Sequence, residues 1–298
     1  MSYQCSNCGA AVDVPPDVMA TTCNFCDSPL VDVDSRSEPV DRLIPFSVDR
    51  ARAGTLLRKY LQSAWLAPEP LRKSARPTDL RAVMVPFYCY EALARTNWSS
   101  QVGVEWQRQE TYTTTDSDGK TVTRTRTVTE TEWFPLDGSH AKVWHDHLVS
   151  ASRGLPENEA NELEPYDLGR SVPFDPAHLA GLVAEHPTIP HAEAESTAES
   201  ELHKAEQAQI AGTFLPGDKH RSLHCNTSVQ VRETKLVLLP VWIAVAGNGD
   251  EAIRMLVNGQ TGEVVADLPK AWWKVALLVV LCLGFFAAMV GFFSTVAQ

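Results

Sequence analysis

Between Met1 and Asp34 the chain has no lysine and no arginine, and the 298-residue sequence as a whole carries a formal net charge of -11. Nucleic-acid binding depends on cations that displace the counterions condensed on phosphates, so the N-terminal stretch has no equipment for reading DNA or RNA. The overall charge likewise disfavours general affinity for anionic lipid. A phosphate-cradling G-x-x-x-x-G-K-[ST] loop is missing too: the lone Gly119-Lys120-Thr121 has Thr114 where the earlier glycine would stand, which excludes a P-loop motor. No basic, apolar leader opens the sequence, whose first residues are Met1, Ser2, Tyr3, Gln4 and Cys5, so no signal peptide is expected. Spacing assigns no Ser-His-Asp or Cys-His arrangement, and Cys89 and Cys225 read as buried or idle thiols.

What the N-terminus does have is Cys5, Cys8, Cys23 and Cys26 in a C-x2-C-x14-C-x2-C pattern. Each pair presents two thiolates from one tight turn, and Zn²⁺ takes four such ligands in a tetrahedron. Pro15, Pro16 and Asp17 supply a bend between two short strands, and Gly9 follows the first pair where a turn calls for positive φ, a place that Asp27 holds after the second. Disulfides would need an oxidising compartment, and a redox C-x-x-C needs no second pair. With four protein ligands the site is closed, which makes the expected zinc structural. So small a segment buries little core, and metal binding, worth about 10 to 16 kcal/mol in small zinc modules, supplies its folding energy. Its carboxylates, Asp13, Asp17, Asp27, Asp32 and Asp34, favour a knob that docks on protein over a structural cap or a nucleic-acid reader.

Charge is also absent from Val275 to Val296. A helix of that length would match a hydrocarbon core of about 30 Å. Lys270, Trp272, Trp273 and Lys274 stand at its edge as interface residues would. The expectation is a single C-terminal transmembrane tail anchor over residues 270–296 in the cell inner membrane, with everything before it cytoplasmic. Gly284, Ala287, Ala288 and Gly291 share one face of that helix, and Gly284, Ala288 and Gly291 offer a place for self-association.

Between these ends, residues 35–82 form a basic neck: Ser35 to Val85 holds ten basic residues against five acidic ones. A helix from about Val48 to Leu66, capped by Ser47 and stopped by Pro68 and Pro70, is predicted. Residues 83–268 read as a β-rich domain. Ala82 to Ala94 is an apolar strand, Trp98 to Thr115 and Lys120 to Phe134 form a long hairpin around Asp116-Ser117-Asp118-Gly119, and Lys142 to Ser150 is another strand. A helical region spans about 155–212, including a segment around Asp175 to Glu185 and a solvent-facing helix from His191 to Ala211. Strands return at Ser228 to Arg232, Lys235 to Ala246, Glu251 to Val257 and Glu263 to Ala266, with a turn at Gly247-Asn248-Gly249. Met84-Val85-Pro86-Phe87-Tyr88 resembles Leu238-Leu239-Pro240-Val241-Trp242, which suggests two related subdomains. His145 and His147, with His140 nearby, are the one further cluster with metal-ligand character, since strand alternation puts His145 and His147 on one face.

The four-cysteine module, the Val85-Pro86-Phe87-Tyr88 strand, Ser150-Ala151-Ser152, the Leu238-Leu239-Pro240-Val241-Trp242 strand, and Val257-Asn258-Gly259-Gln260-Thr261-Gly262-Glu263-Val264 before the apolar tail together resemble a family of bacterial zinc-ribbon membrane proteins. Such proteins often carry primosomal or helicase-like labels derived from the cysteine module alone. The resemblance implies a role beside band-7 (SPFH) proteins and phage-shock-type membrane-stress proteins.

The sequence therefore supports an α+β chain with an N-terminal zinc ribbon (1–34), a β-rich cytoplasmic body with a helical insertion, and a single C-terminal transmembrane helix. It reads as a tail-anchored adaptor that recruits or holds partner proteins, without catalysis. One alternative is a membrane-tethered nucleic-acid protein acting through the basic neck. Another is an enzyme with a second metal on the His145/His147 strand.

Overall fold

The computed structural model describes residues 2–31, 38–74, 78–115, 119–248 and 251–296. The chain is β-rich and divides into two compact units. The first comprises Met1–Tyr88, Val149–Pro190 and Lys235–Gln298, and the second Cys89–Leu148 and His191–Thr234.

The first unit begins with β1 (Ser2–Gln4), β2 (Ala11–Asp13), β3 (Val18–Thr22) and β4 (Pro29–Val31). Strands β1 and β2 form their own two-stranded sheet. β5 (Arg42–Leu43) leads to helix α1 (Arg50–Ser63) and the short α2 (Glu69–Ser74). Asp49, not Ser47, caps α1, its carboxylate accepting the Arg52 N–H at 2.7 Å. The Ser47 N–H is engaged by the Gly259 carbonyl instead, at 2.9 Å. Ala53, Leu57 and Leu61 face inward at helical spacing, onto Trp242, Met255 and Val257. Arg50, Arg52, Arg58 and Lys59 stay in solvent.

Strand β6 (Thr78–Thr115) merges the expected apolar strand with the first arm of the hairpin, and β7 (Thr121–Ser150) is the returning arm. Asp116 to Asp118 of the expected turn lie outside the described residues. The region expected to be helical is mostly short pieces: α3 (Glu157–Leu163), a turn at Leu168–Arg170, β8 (Val172–Pro173), a turn at Pro176–Leu179 and β9 (Val183–Glu185). Gly181, at φ 78°, breaks the chain direction between the last two, so the segment around Asp175 to Glu185 is a turn and a strand. Helix α4 (His191–Thr213), β10 (Lys219–Asn248), β11 (Glu251–Asn258), β12 (Val264–Ala266) and α5 (Trp272–Val296) complete the chain. Gly249 of the expected turn between β10 and β11 lies outside the described residues.

The main sheet runs β12-β11-β10-β6-β9-β3-β4, with β5 on β10, β8 on β5 and β7 on β6. The two proline-containing segments thus occupy neighbouring strands. Their prolines act alike: the Pro86 carbonyl accepts the Ala151 N–H at 2.9 Å and the Pro240 carbonyl the Gly259 N–H at 2.8 Å. Asn258 anchors the loop that follows β11. It is fully buried, donates to the Leu163 and Pro165 carbonyls, and accepts from the Gln260 and Thr261 N–H groups.

In the second unit α4 is half-buried rather than solvent-facing. Ala194, Ala198, Leu202, Glu206 and Ile210 recur every fourth residue as one inward stripe. The distal part of the hairpin is exposed, as its threonines predict. Cross-strand pairs hold it, Arg108 to Glu130 at 2.5 Å and Arg126 to Glu110 at 2.8 Å. The Arg126 hydrogen bond keeps the Glu110 carboxyl below its usual range.

The expected transmembrane tail anchor is overturned. Among the described residues no helix is long and apolar enough to cross a membrane. Lys274, expected to sit among lipid headgroups, is buried instead, its ammonium donating to the Trp65 and Ala67 carbonyls at 2.7 and 2.8 Å. The inner-membrane location and the α+β class ending in a transmembrane helix fall with it. Gly284 has open space around it. The side chains of Ala288 and of position 291 lie outside the described residues.

Candidate metal centre

The C-x2-C segments fold into two equivalent turns. In the first, the Gly9 N–H returns to the Cys5 carbonyl at 2.8 Å and the Cys5 N–H donates to the Ala10 carbonyl at 2.8 Å. In the second, Asp27 returns to Cys23 at 2.9 Å and Cys23 donates to Ser28 at 2.8 Å. Both turns close through a left-handed residue, Gly9 at φ 75° and Asp27 at φ 55°. Glycine adopts this conformation without strain, and aspartate is among the side chains that tolerate it.

The turns face each other so that Cys5 and Cys26 sulfurs lie 3.7 Å apart, as do those of Cys8 and Cys23. All four sulfurs fall within 4.8 Å of one another, close enough to hold one metal ion. Cys5 and Cys23 are buried against Val12 and Val14, with Val18, Cys26 and Leu30 beside them, while Cys8 is exposed. Ser28 hydrogen-bonds Cys26 and holds its thiol down to about 6. A hydrogen bond to the Ala10 backbone acts to lower the Cys8 thiol, but the neighbouring thiol of Cys26 and burial outweigh it, and the group is pushed up to about 12. Thiols this close resist simultaneous ionisation unless a cation is shared among them.

The module is joined to the main sheet. β3 pairs with β9 through Val18 with Glu185 and Ala20 with Ala184, and the His186 N–H donates to the Asp17 carbonyl at 2.8 Å. Nothing in the local sequence around the cysteines announces a strand more than 160 residues away. Also unannounced is Phe25, between ligands Cys23 and Cys26, whose side chain is 72% exposed. The signal was available in retrospect: a residue between two ligands of one tight turn points away from the small core.

No other group of three or more ligand side chains converges among the described residues. The histidines disperse because Asp146, at φ 57°, interrupts the alternation of β7. His145 is exposed beside Glu91 at 3.2 Å, whereas His147 lies beside Glu201 of α4 at 3.1 Å. His140 approaches the buried Glu206 at 3.0 Å. The pairing of His145 with His147 on one face is thereby corrected. Cys89 is buried near Asp146, and burial raises the Cys225 thiol.

The chain is similar to a protein named Uncharacterized protein YdjG from Bacillus subtilis (strain 168), with 28% identity over 248 residues. That similarity takes in 79% of this chain and 65% of the relative's length. No family model and no solved structure matches the chain.

Proposed function

We propose that the chain is a zinc-ribbon adaptor that recruits or holds partner proteins and has no catalytic reaction of its own. The observation carrying this reading is the closed four-sulfur cluster within a module whose exposed surface is acidic. Zinc fits the donor set best. A tetrahedron with Zn–S bonds of about 2.3 Å has sulfur–sulfur edges of about 3.8 Å. The two pairs at 3.7 Å match those edges. Cysteine supplies all four ligands, leaving no open position for substrate or water, so the metal's work is to fold and stiffen the two turns. The carboxylates of Asp13, Asp17 and Asp27 are exposed and favour a partner with a basic docking surface. Proteins of the band-7 (SPFH) type are the first partners to test, on the family resemblance of the sequence.

The test is crosslinked co-purification of the intact chain and of Cys5→Ser/Cys8→Ser, with retained proteins identified by mass spectrometry. Specific loss of proteins from a variant whose β-rich body remains folded supports the adaptor. Unchanged protein partners, or loss of nucleic acid instead, would overturn it.

A further inference from the structure

Phe25 lies between the ligands Cys23 and Cys26, so a metal ion held by the four sulfurs fixes at both ends the turn that carries it. Its side chain is 72% exposed. The small core of the ribbon, Cys5, Val12, Val14 and Cys23 with Val18, Cys26 and Leu30 beside them, closes without it. An aromatic ring that folding does not use, standing in water on a tight turn, has the stabilisation of burial still to gain. Because its backbone is already immobilised, docking costs it little conformational freedom, and rigid aromatic side chains of this kind are typical anchors at the centre of an interface.

The groups around the ring decide which partner suits it. Asn24 and Asp27 are exposed on the same turn, and Ser6 and Asn7 are exposed on the facing one. The Asn7 amide donates to the Ser28 hydroxyl at 2.8 Å, which ties the two turns together. No lysine or arginine occurs between Met1 and Asp34, and four thiolates around Zn²⁺ keep a net negative charge. Nucleic acid would need cations that this surface lacks, and an anionic lipid surface would be repelled. What complements a protruding phenyl ring beside a carboxylate is a protein pocket, apolar inside and cationic at its rim.

We propose that Phe25 is the side chain by which the ribbon anchors on its protein partner, and that the partner presents an apolar pocket rimmed by lysine or arginine that meets Asp27. Resting on the reading of the ribbon as a docking module, this names the residues that dock and the chemistry that receives them. The metal contributes rigidity: without it the turn is loose, and ordering the ring adds to the cost of binding. Ring and metal are therefore both required, and each can be removed without the other.

The test uses the full chain, zinc-loaded, with Phe25 replaced by the photoreactive p-benzoylphenylalanine and irradiated in cells that natively express the chain. Crosslinked peptides are identified by mass spectrometry. Each captured protein is then purified and titrated, in non-ionic detergent, against the parent, Phe25→Ala and Asp27→Asn, all shown by native mass spectrometry to hold one zinc. Asparagine tolerates the left-handed turn and removes only the charge. The expected result is a captured protein whose crosslinked peptide is apolar with lysine or arginine alongside. Its affinity should fall about thirty-fold or more in Phe25→Ala and several-fold in Asp27→Asn, the second loss shrinking at high salt. An affinity unchanged in Phe25→Ala, or crosslinks from position 25 that reach only lipid, only nucleic acid or nothing, would overturn the anchor. Proteins lost from Cys5→Ser/Cys8→Ser but kept by zinc-loaded Phe25→Ala sink the anchor and leave the adaptor reading standing, whereas proteins kept by both variants sink the two together.

Discussion

The Trp144 indole N–H donates to the Glu206 carboxylate at 2.7 Å inside the second unit, where Glu206 has no exposed surface. The same carboxylate takes the Thr96 hydroxyl at 3.1 Å and lies 3.0 Å from His140 Nδ1. One buried acid thus ties α4 to β6 and β7, and it does so in the middle of a stripe that is otherwise alanine, leucine and isoleucine.

Removing that acid strands the indole donor. Glu206→Ala should cost about 1 to 3 kcal/mol, because the Trp144 N–H would lose its acceptor and Thr96 would be left with Thr227 alone as its partner. Glu206→Gln, which keeps one acceptor oxygen, should cost less. Urea unfolding followed by tryptophan fluorescence measures both. A Glu206→Ala variant as stable as the parent would mean that the network contributes nothing.

Asn258 supports a pH prediction. Its amide nitrogen donates to the Leu163 and Pro165 carbonyls at 2.8 and 3.2 Å. Asn258→Asp would aim a carboxylate at those two carbonyl oxygens, raising its folded-state pKa above the unfolded value of about 3.9. Since the folded state then holds the proton more tightly, the variant's deficit should be largest at neutral pH and shrink as pH falls through the raised pKa. Stability difference from the parent, followed from pH 7 to pH 4, checks the sign. A deficit that grows on acidification contradicts it.

Lys274 fixes the start of α5. Lys274→Met keeps the stem but leaves the Trp65 and Ala67 carbonyls without their donor, at a cost of about 1 to 3 kcal/mol. The expected readout is faster proteolysis between β12 and α5, with the metal module untouched. Unchanged cleavage would show that the ammonium is not what pins the helix.

Gly259 is a packing constraint. A β-carbon there would lie 2.7 Å from both the Phe46 ring and the Pro240 side chain. Gly259→Ala should therefore destabilise the first unit by about 1 to 3 kcal/mol, as overpacking does. A thermal melt that matches the parent's would contradict that account.

The metal module was the most legible part of the chain, because ligand spacing and the need for a left-handed residue after each pair are local requirements. Gly9 and Asp27 could be matched from sequence and are matched in conformation. The long hairpin was legible for the same reason, its threonines and valines alternating on either side of the Asp116-Ser117-Asp118-Gly119 stretch of sequence. Long-range pairing was not: β3 joins β9 across most of the chain, and nothing near Val18 encodes it. Alternation misled at His145 and His147, where a single left-handed residue shifts the pattern. Helix α4 looked solvent-facing because alanine and a buried glutamate line its inner face, a stripe with little hydrophobic contrast. The apolar C-terminal run was read as a span from its length, its lack of charge and the lysines and tryptophans at its edge. The tertiary contacts of Lys274, which bury the flanking charge, could not be read from that run.

Metal stoichiometry tests the central claim most directly. Native mass spectrometry of the full chain, purified without chelator and compared with Cys5→Ser/Cys8→Ser, should find one zinc per chain in the parent and none in the variant. An absence of bound metal in the parent, or a metal that survives loss of the two cysteines, would contradict the account of a single closed zinc site that shapes a docking surface.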